Sequence, residues 1–432
     1  MDDSSTPQVK LPPPAVQAPP DPAAHNESLQ IARLFLTTLK ARRPYATWGI
    51  AVLIGMVFAL QLYVGHMEVN ATFIRLGALY PPRVFEAGEF WRLASCTLLH
   101  ADWMHVGFNV YVLIILGIFV ERILGTPRFL VLYVCSAFAG SVGSLFFLGA
   151  SFSVGASGAV WGLLGAHAVL AFKPTGLLPE LMLPGVKRAA MINLGLNVVF
   201  SFQAGIDTWA HFAGGACGAL VFLTLSRSVP RVPKSIQEGV PAQVPAPKFM
   251  WPLGLGAMAL LVSLTGVAIA QGNPFNLDTA PVFERVDNEW LGLSVELPSP
   301  LLANTEQVSD NESRELVVGN AVEDTMMVRV FTQAVDGPPL SPAEVDQELT
   351  SIESLALPPE DATRASPPER MSIGGQQAVM VRDRLESEIL LDRLFVVFPN
   401  RLVRVAVYRW PGFVEASPED TARRIAESVL FL

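Results

Sequence analysis

Charge is missing from this chain where a soluble protein would carry it. Charged residues make up 16% of the sequence against 51% hydrophobic, too few for an ordinary water-exposed fold. No Asp, Glu, Lys or Arg stands between Arg128 and Lys173, or between Asp207 and Arg227. Runs of that length exclude a conventional soluble domain and suit a bilayer, which a helix of about 20 apolar residues crosses. Cysteine is scarce as well. Cys96, Cys135 and Cys217 are the only three, so no disulfide framework is implied, and small buried thiols are the simplest reading. From Asn273 onward lysine and histidine vanish altogether, leaving 27 Asp/Glu against 13 Arg.

What is present divides the chain in two. The first 272 residues carry 12 acidic and 17 basic residues, the remainder a net charge of −14. One half is built to meet a membrane and its basic flank, the other is an acidic soluble domain. Uncharged apolar stretches predict spans at about Ala46–Met67, Met104–Val120, Phe129–Leu148, Ala156–Phe172, Ala189–Phe202, Thr208–Ser226 and Met250–Gln271, the fifth being short. The 44-residue charge-free run after Arg128 is broken near Gly149–Ser153, which is small and polar. Basic residues mark alternate loops: Lys40, Arg42 and Arg43; Arg122 and Arg128; Lys173, Lys187 and Arg188; Arg227, Arg231, Lys234 and Lys248. The bias of Lys and Arg toward cytoplasmic loops then predicts a cytoplasmic amino terminus and an outer carboxy-terminal domain. The first 22 residues hold seven prolines and no apolar periodicity, so disorder is expected there. Leu29–Leu39 reads as a short interfacial helix or a plain juxtamembrane linker, and Val229–Pro247 as a cytoplasmic linker.

Two polar residues stand at the mouths of these spans. Ser157, in Gly155-Ala156-Ser157-Gly158, opens the fourth, and His211 lies near the start of the sixth. By the charge rule both spans enter from the outer side, so the two residues share one depth. Polar side chains in membrane segments are expensive and are functional candidates by default. Serine needs a base to become a nucleophile, and histidine is the usual one. Free N–H groups and the positive dipole at the start of the fourth span would face an oxyanion forming at Ser157. In the second span His105 and Asn109 stand at i and i+4 on one face. They are either donors to that oxyanion or interhelical hydrogen-bonding residues of a structural kind. No acidic triad partner is expected at this depth, where a carboxylate would need costly desolvation. Asp207 is the nearest candidate and is expected to face outer water.

Together these residues resemble the rhomboid family of intramembrane serine proteases over about residues 45–226. Its marks stand as Trp91-Arg92, His100, His105, Asn109, Gly117, Glu121, Gly125, the Gly155–Gly158 motif, and Ala210-His211 followed by Gly214 and Gly218. The resemblance implies a membrane all-α fold: a six-helix protease core over 45–226 in which Ser157 is the nucleophile and His211 the base, with Asn109 and His105 as oxyanion donors. It implies transmembrane protein substrates cut near their outer end. Family members often place Tyr one turn after the serine, packed on the histidine; Trp161 stands there and supplies the same aromatic face. Gly214 and Gly218 form a small-residue stripe that would let the fourth and sixth spans approach. Trp91-Arg92 are expected to anchor the outer loop, and His167 to be structural.

The remaining organisation follows. Residues 1–44 are expected to form a disordered Pro-rich cytoplasmic amino terminus and a juxtamembrane segment, 227–249 a cytoplasmic linker, 250–271 a seventh transmembrane helix and 272–432 an extracytoplasmic α+β domain. In that domain Leu291–Leu297, Thr325–Phe331, Gln377–Arg382 and Leu402–Tyr408 alternate as strands, while Ser341–Leu355 and Ser417–Val429 open as helices on Ser-Pro. With no histidine and no nucleophile motif, it is expected to bind substrate or a partner protein, or to serve as a structural plug. Neither cofactor, metal nor nucleic-acid partner is expected. The location expected is a bacterial inner or plasma membrane, crossed several times. A second reading is an inactive rhomboid-like protein binding transmembrane clients, a third a seven-helix transporter; the second would lack the Ser–His pair, and the third would show charged or broken helices at mid-membrane.

Overall fold

The computed structural model describes residues 22–431 apart from 66–69, 149–150, 174, 204, 234–237, 240–243, 273, 275–282, 299–304, 310–312, 320–325, 335–337, 356–357, 360–361, 386–388 and 410–420. The expected disorder of residues 1–21 and the break at Gly149-Ala150 thus lie outside the described residues. The membrane half is built from α1 (Pro22–Ala41), α2 (Tyr45–Val64), α3 (Asn70–Leu76), α4 (Trp103–Leu124), α5 (Thr126–Leu145), α6 (Ser157–Phe172), α7 (Leu183–Ser201), α8 (Thr208–Leu225) and α9 (Met250–Gly272). A π-helical turn at Leu113–Gly117 interrupts α4. By length and composition α2, α4, α5, α9 and α8, the last continued to Ser228, can cross a membrane; α6 is shorter at 16 residues.

Two expectations need correction. The short helix allowed for at Leu29–Leu39 is longer than expected, because α1 takes in 20 residues from Pro22 to Ala41. Pro22 opens it, no further proline occurs until Pro44, and Ala32, Phe35 and Leu39 repeat at helical spacing to give one buried face. The fifth expected span, Ala189–Phe202, starts six residues earlier and takes Lys187 and Arg188 into α7. Those charges keep α7 off the set of spanning helices, and only Ala190 and Ser201 of its residues are buried.

Glycine sets the packing of α5, α6 and α8. A Cβ on Gly214 would overlap the Gly158 carbonyl, one on Gly218 the Gly162 carbonyl, and one on Gly165 the Gly215 carbonyl. A Cβ on Gly140 of α5 would lie 3.0 Å from both Ala210 O and Gly158 Cα. The three backbones therefore touch directly, an arrangement that only small residues permit.

Basic residues gather at one end of the bundle. Arg42 donates to Arg122 O at 2.8 Å, and Arg128 reaches Ser228 Oγ and Pro245 O at 3.0 and 2.9 Å. The described part of the 227–249 linker is therefore tied to the bundle. The buried Glu121 carboxylate accepts from the N–H groups of Ala46 and Thr47 at 2.9 and 2.8 Å, capping α2. At the opposite end Leu79 bridges Ser153, and Gln61 of α2 grips the His100 backbone, donating to its O at 2.9 Å and accepting from its N–H at 3.0 Å. Arg92 is buried and donates to Ile74 O and Ala78 O at 2.7 and 2.8 Å, stitching the first long loop as expected. The end of α9 reaches this loop, where a Cβ on Gly272 would overlap Arg75 O.

The second half is α+β with antiparallel sheets. Three strands pair in the order β1 (Phe283–Asn288), β2 (Leu293–Pro298), β10 (Leu430–Phe431). Seven pair in the order β3 (Thr305–Ser309), β4 (Ser313–Val318), β5 (Met326–Ala334), β9 (Arg401–Arg409), β8 (Leu390–Phe398), β7 (Gln376–Leu385), β6 (Ala362–Ile373). α10 (Pro342–Leu355) covers part of one face through Val345 and Leu349, and α11 (Thr421–Glu427) packs on the other core through Ile425. Of the expected helix Ser417–Val429, Ser417–Asp420 lie outside the described residues.

Candidate active site

Ser157 is the first residue of α6, so its N–H and the two after it have no partner within their own helix. The loop before it is fixed on both sides. Gly155 donates to Cys96 O at 2.9 Å, and Ala156 donates to His100 Nε2 at 3.5 Å. His100 is fully buried, and burial, with neighbouring His105 adding to it, pushes its imidazole down to about 3; it is a neutral acceptor. Gly155 has φ of +132°, and a Cβ there would lie 2.8 Å from His105 Nε2. Both the left-handed backbone and the closeness of the ring require glycine.

His105 sits on the first turn of α4, whose N-cap Asp102 accepts from the His105 N–H at 2.8 Å. Its Nδ1 accepts from Ala101 N–H at 3.4 Å. That bond leaves the ring proton on Nε2, the nitrogen beside Gly155. One turn further, Asn109 is buried and spends one amide N–H on His105 O at 2.9 Å. Its second N–H is thereby left for another acceptor.

His211 lies one turn into α8 and is 9% exposed. Trp161 stacks on its ring, centroids 5.3 Å apart and planes 21° from parallel. The backbone contact of Gly214 with Gly158 brings α8 against the first turn of α6, one residue from Ser157. Among the described residues no hydrogen bond joins Ser157 to His211. Instead His211 Nδ1 meets Ser201 Oγ at 2.6 Å, a partner the sequence reading missed. Nothing in the pattern flags Ser201, the last residue of the least apolar of the expected spans. Asp207, expected to face outer water, is half-buried, and its carboxylate accepts from Ala210 N–H at 2.9 Å and from the Ser144 hydroxyl. It caps α8 and ties it to α5, and it makes no hydrogen bond to the His211 ring. His167 lies far down α6 with its ring edge-on to Phe119, a packing position.

The Rhomboid domain family model matches residues 87–228, which contain every residue of this site. Residues 87–228 thus carry a rhomboid domain. RHOMBOID-like protein 4 of Arabidopsis thaliana is 37% identical over 158 residues, 36% of this chain and 39% of that protein. Rhomboid protease GluP of Bacillus subtilis is 33% identical over 165 residues, 38% of this chain and 31% of that protein. Rhomboid-like protease 3 of Toxoplasma gondii is 27% identical over 189 residues, covering 43% and 70%. The chain spans about two fifths to a half of the length of the Arabidopsis rhomboid relatives. The matched rhomboid segment ends at 228, before α9 and the β-rich half.

Proposed function

We propose that the chain is an intramembrane serine endopeptidase that cuts transmembrane protein segments near their outer end. The observation that carries it is the backbone contact of Gly214 with Gly158, which sets His211, stacked on Trp161, against the helix start that bears Ser157. In this reading Ser157 Oγ attacks the scissile carbonyl and passes its proton to His211 Nε2. The oxyanion is held by the Ser157 N–H, the second N–H of Asn109 and the Nε2–H of His105. His211 then returns the proton to the leaving amine, and water releases the acyl group by the same steps in reverse order. The amino terminus and basic end face the cytoplasm, the site and β-rich half the other side. That half meets exposed parts of substrates or a partner protein.

A second reading is an inactive rhomboid relative that binds transmembrane clients, and the lack of a direct Ser157–His211 hydrogen bond favours it. Expression with a tagged single-span substrate separates the two. Wild type should cleave, while Ser157→Ala and His211→Ala should each reduce cleavage to background with insertion intact. Near-normal cleavage by Ser157→Ala sinks the mechanism. A reporter after Leu432 should report outside the cytoplasm and one near Gln237 inside; both on one side would overturn the topology.

A further inference from the structure

The Ser201 hydroxyl sits between two partners. His211 Nδ1 lies 2.6 Å from its oxygen and Asn197 O lies 2.9 Å away. A hydroxyl has one proton and two lone pairs, whereas a carbonyl can only accept. The proton therefore goes to Asn197 O, and a lone pair is left to accept from Nδ1–H of the imidazole. Ser201 is fully buried, so no water competes for that lone pair. Its own carbonyl accepts from Thr208 Oγ1 at 2.5 Å, three residues before His211. The first turn of α8 thus holds Ser201 twice, once by its backbone and once by its side chain.

We infer that Ser201 is a positioning residue that keeps His211 in the tautomer with the proton on Nδ1 and the free lone pair on Nε2. The inference rests on the protease reading above, in which Nε2 must accept the Ser157 proton. The opposite arrangement, with Ser201 donating to Nδ1, would put the ring proton on Nε2 and leave no acceptor toward Ser157. Trp161 fixes the plane of the ring and Ser201 its rotation within that plane. When Nε2 takes the proton, both ring nitrogens carry hydrogen, and the Nδ1–H bond to Ser201 persists and stabilises the cation. No proton passes to Ser201 at any step. A neutral hydroxyl does here what a buried carboxylate does in triad proteases, without the desolvation that a carboxylate would suffer. The other titratable groups near the ring are Asp207, held by Ala210 and Ser144, and His105 across the site; neither contacts Nδ1.

The test compares full-length wild type, Ser201→Ala, Ser201→Cys and Ser201→Thr in liposomes with a single-span substrate. Cysteine keeps the volume but accepts hydrogen bonds weakly, while threonine keeps the hydroxyl. Ala and Cys should lower kcat roughly 10- to 100-fold with KM within about twofold, consistent with losing a bond to a charged group; Thr should stay within about threefold of wild type. Wild-type kcat in Ser201→Ala, or a Cys variant that matches Thr, overturns the role. Histidine-selective 15N spectra, with His211→Gln for assignment, supply a readout independent of cleavage. The Nδ1-protonated form is expected in wild type and a loss of that preference in Ser201→Ala; an Nε2-protonated His211 in wild type overturns the inference even if the protein never cleaves. Absence of cleavage in wild type with the Nδ1-protonated form present would instead count against the protease reading alone.

Discussion

The two walls around His211 are made differently. On one side α5, α6 and α8 meet backbone to backbone through Gly140, Gly158, Gly162, Gly165, Gly214, Gly215 and Gly218. On the other, α7 buries only Ala190 and Ser201, and its Gly185 and Gly195 have open space around them. Direct backbone contact has no side-chain rotamers to adjust, so the first wall fixes distances to a few tenths of an ångström. The second meets the ring through the Ser201 hydroxyl, while the Ser201 carbonyl holds Thr208 at the start of α8. Precision around Ser157 thus comes from close-packed glycine, whereas the hold on His211 comes in part from a hydrogen bond made by a loosely packed helix.

The strongest way to break this contrast is to put the same methyl group on each wall. Gly214→Ala places a carbon on the Gly158 carbonyl and should cost about 3 kcal/mol or more, with cleavage falling to background and a clear drop in thermal unfolding temperature. A variant as active and stable as wild type would mean that the walls are equally compliant. Trp161→Ala comes next. It removes a side chain that is 5% exposed and stacked on His211, leaving a cavity that costs about 3–5 kcal/mol and a ring free to turn. We expect kcat to fall on the order of tenfold, in line with an aromatic contact of roughly 1.5 kcal/mol, and Trp161→Tyr to recover most of it. Failure of Tyr to recover would show that the ring is held elsewhere. The smallest effect belongs to Gly195→Ala in α7, where the new carbon meets nothing within 4 Å. It should leave cleavage unchanged and raise stability by about 0.5–1 kcal/mol through helix propensity. A loss of cleavage would show that the looser wall also needs its glycines.

Much of the membrane half was legible because apolar runs and basic loops are long-range, one-dimensional signals. Each of the seven expected segments overlaps a helix, α2 and α4–α9, of which five are long and apolar enough to cross a membrane, and Ser157, His105 and Asn109 fall at helix starts and faces that spacing alone predicts. The start of α7 was misjudged because Lys187 and Arg188 read as loop residues, although long basic side chains at a helix end keep their charge in water. Ser201 was invisible because its role depends on a contact with a residue ten positions later. In the β-rich half, alternation revealed β2, β5, β7 and β9. β8 escaped because a central strand buried on both faces, as in Leu390–Phe398, reads as a plain apolar run. β6 escaped because it holds Pro367 and Pro368; it lies at the sheet edge and shifts register between Arg364 and Glu369, where proline is tolerated.

The docking of α9 on the first loop fixes a length. Gly272 lies against Arg75, and ten residues separate it from Phe283, where β1 starts. Fully extended, ten residues reach about 35 Å, so the acidic half is leashed within that distance of the loop that also holds Ser153. A tether this short keeps the β-rich half at an effective concentration on the order of millimolar around that loop. In the protease reading proposed above, a substrate segment held at Ser157 would find the β-rich half already beside it, and even weak affinity between them would lengthen its stay.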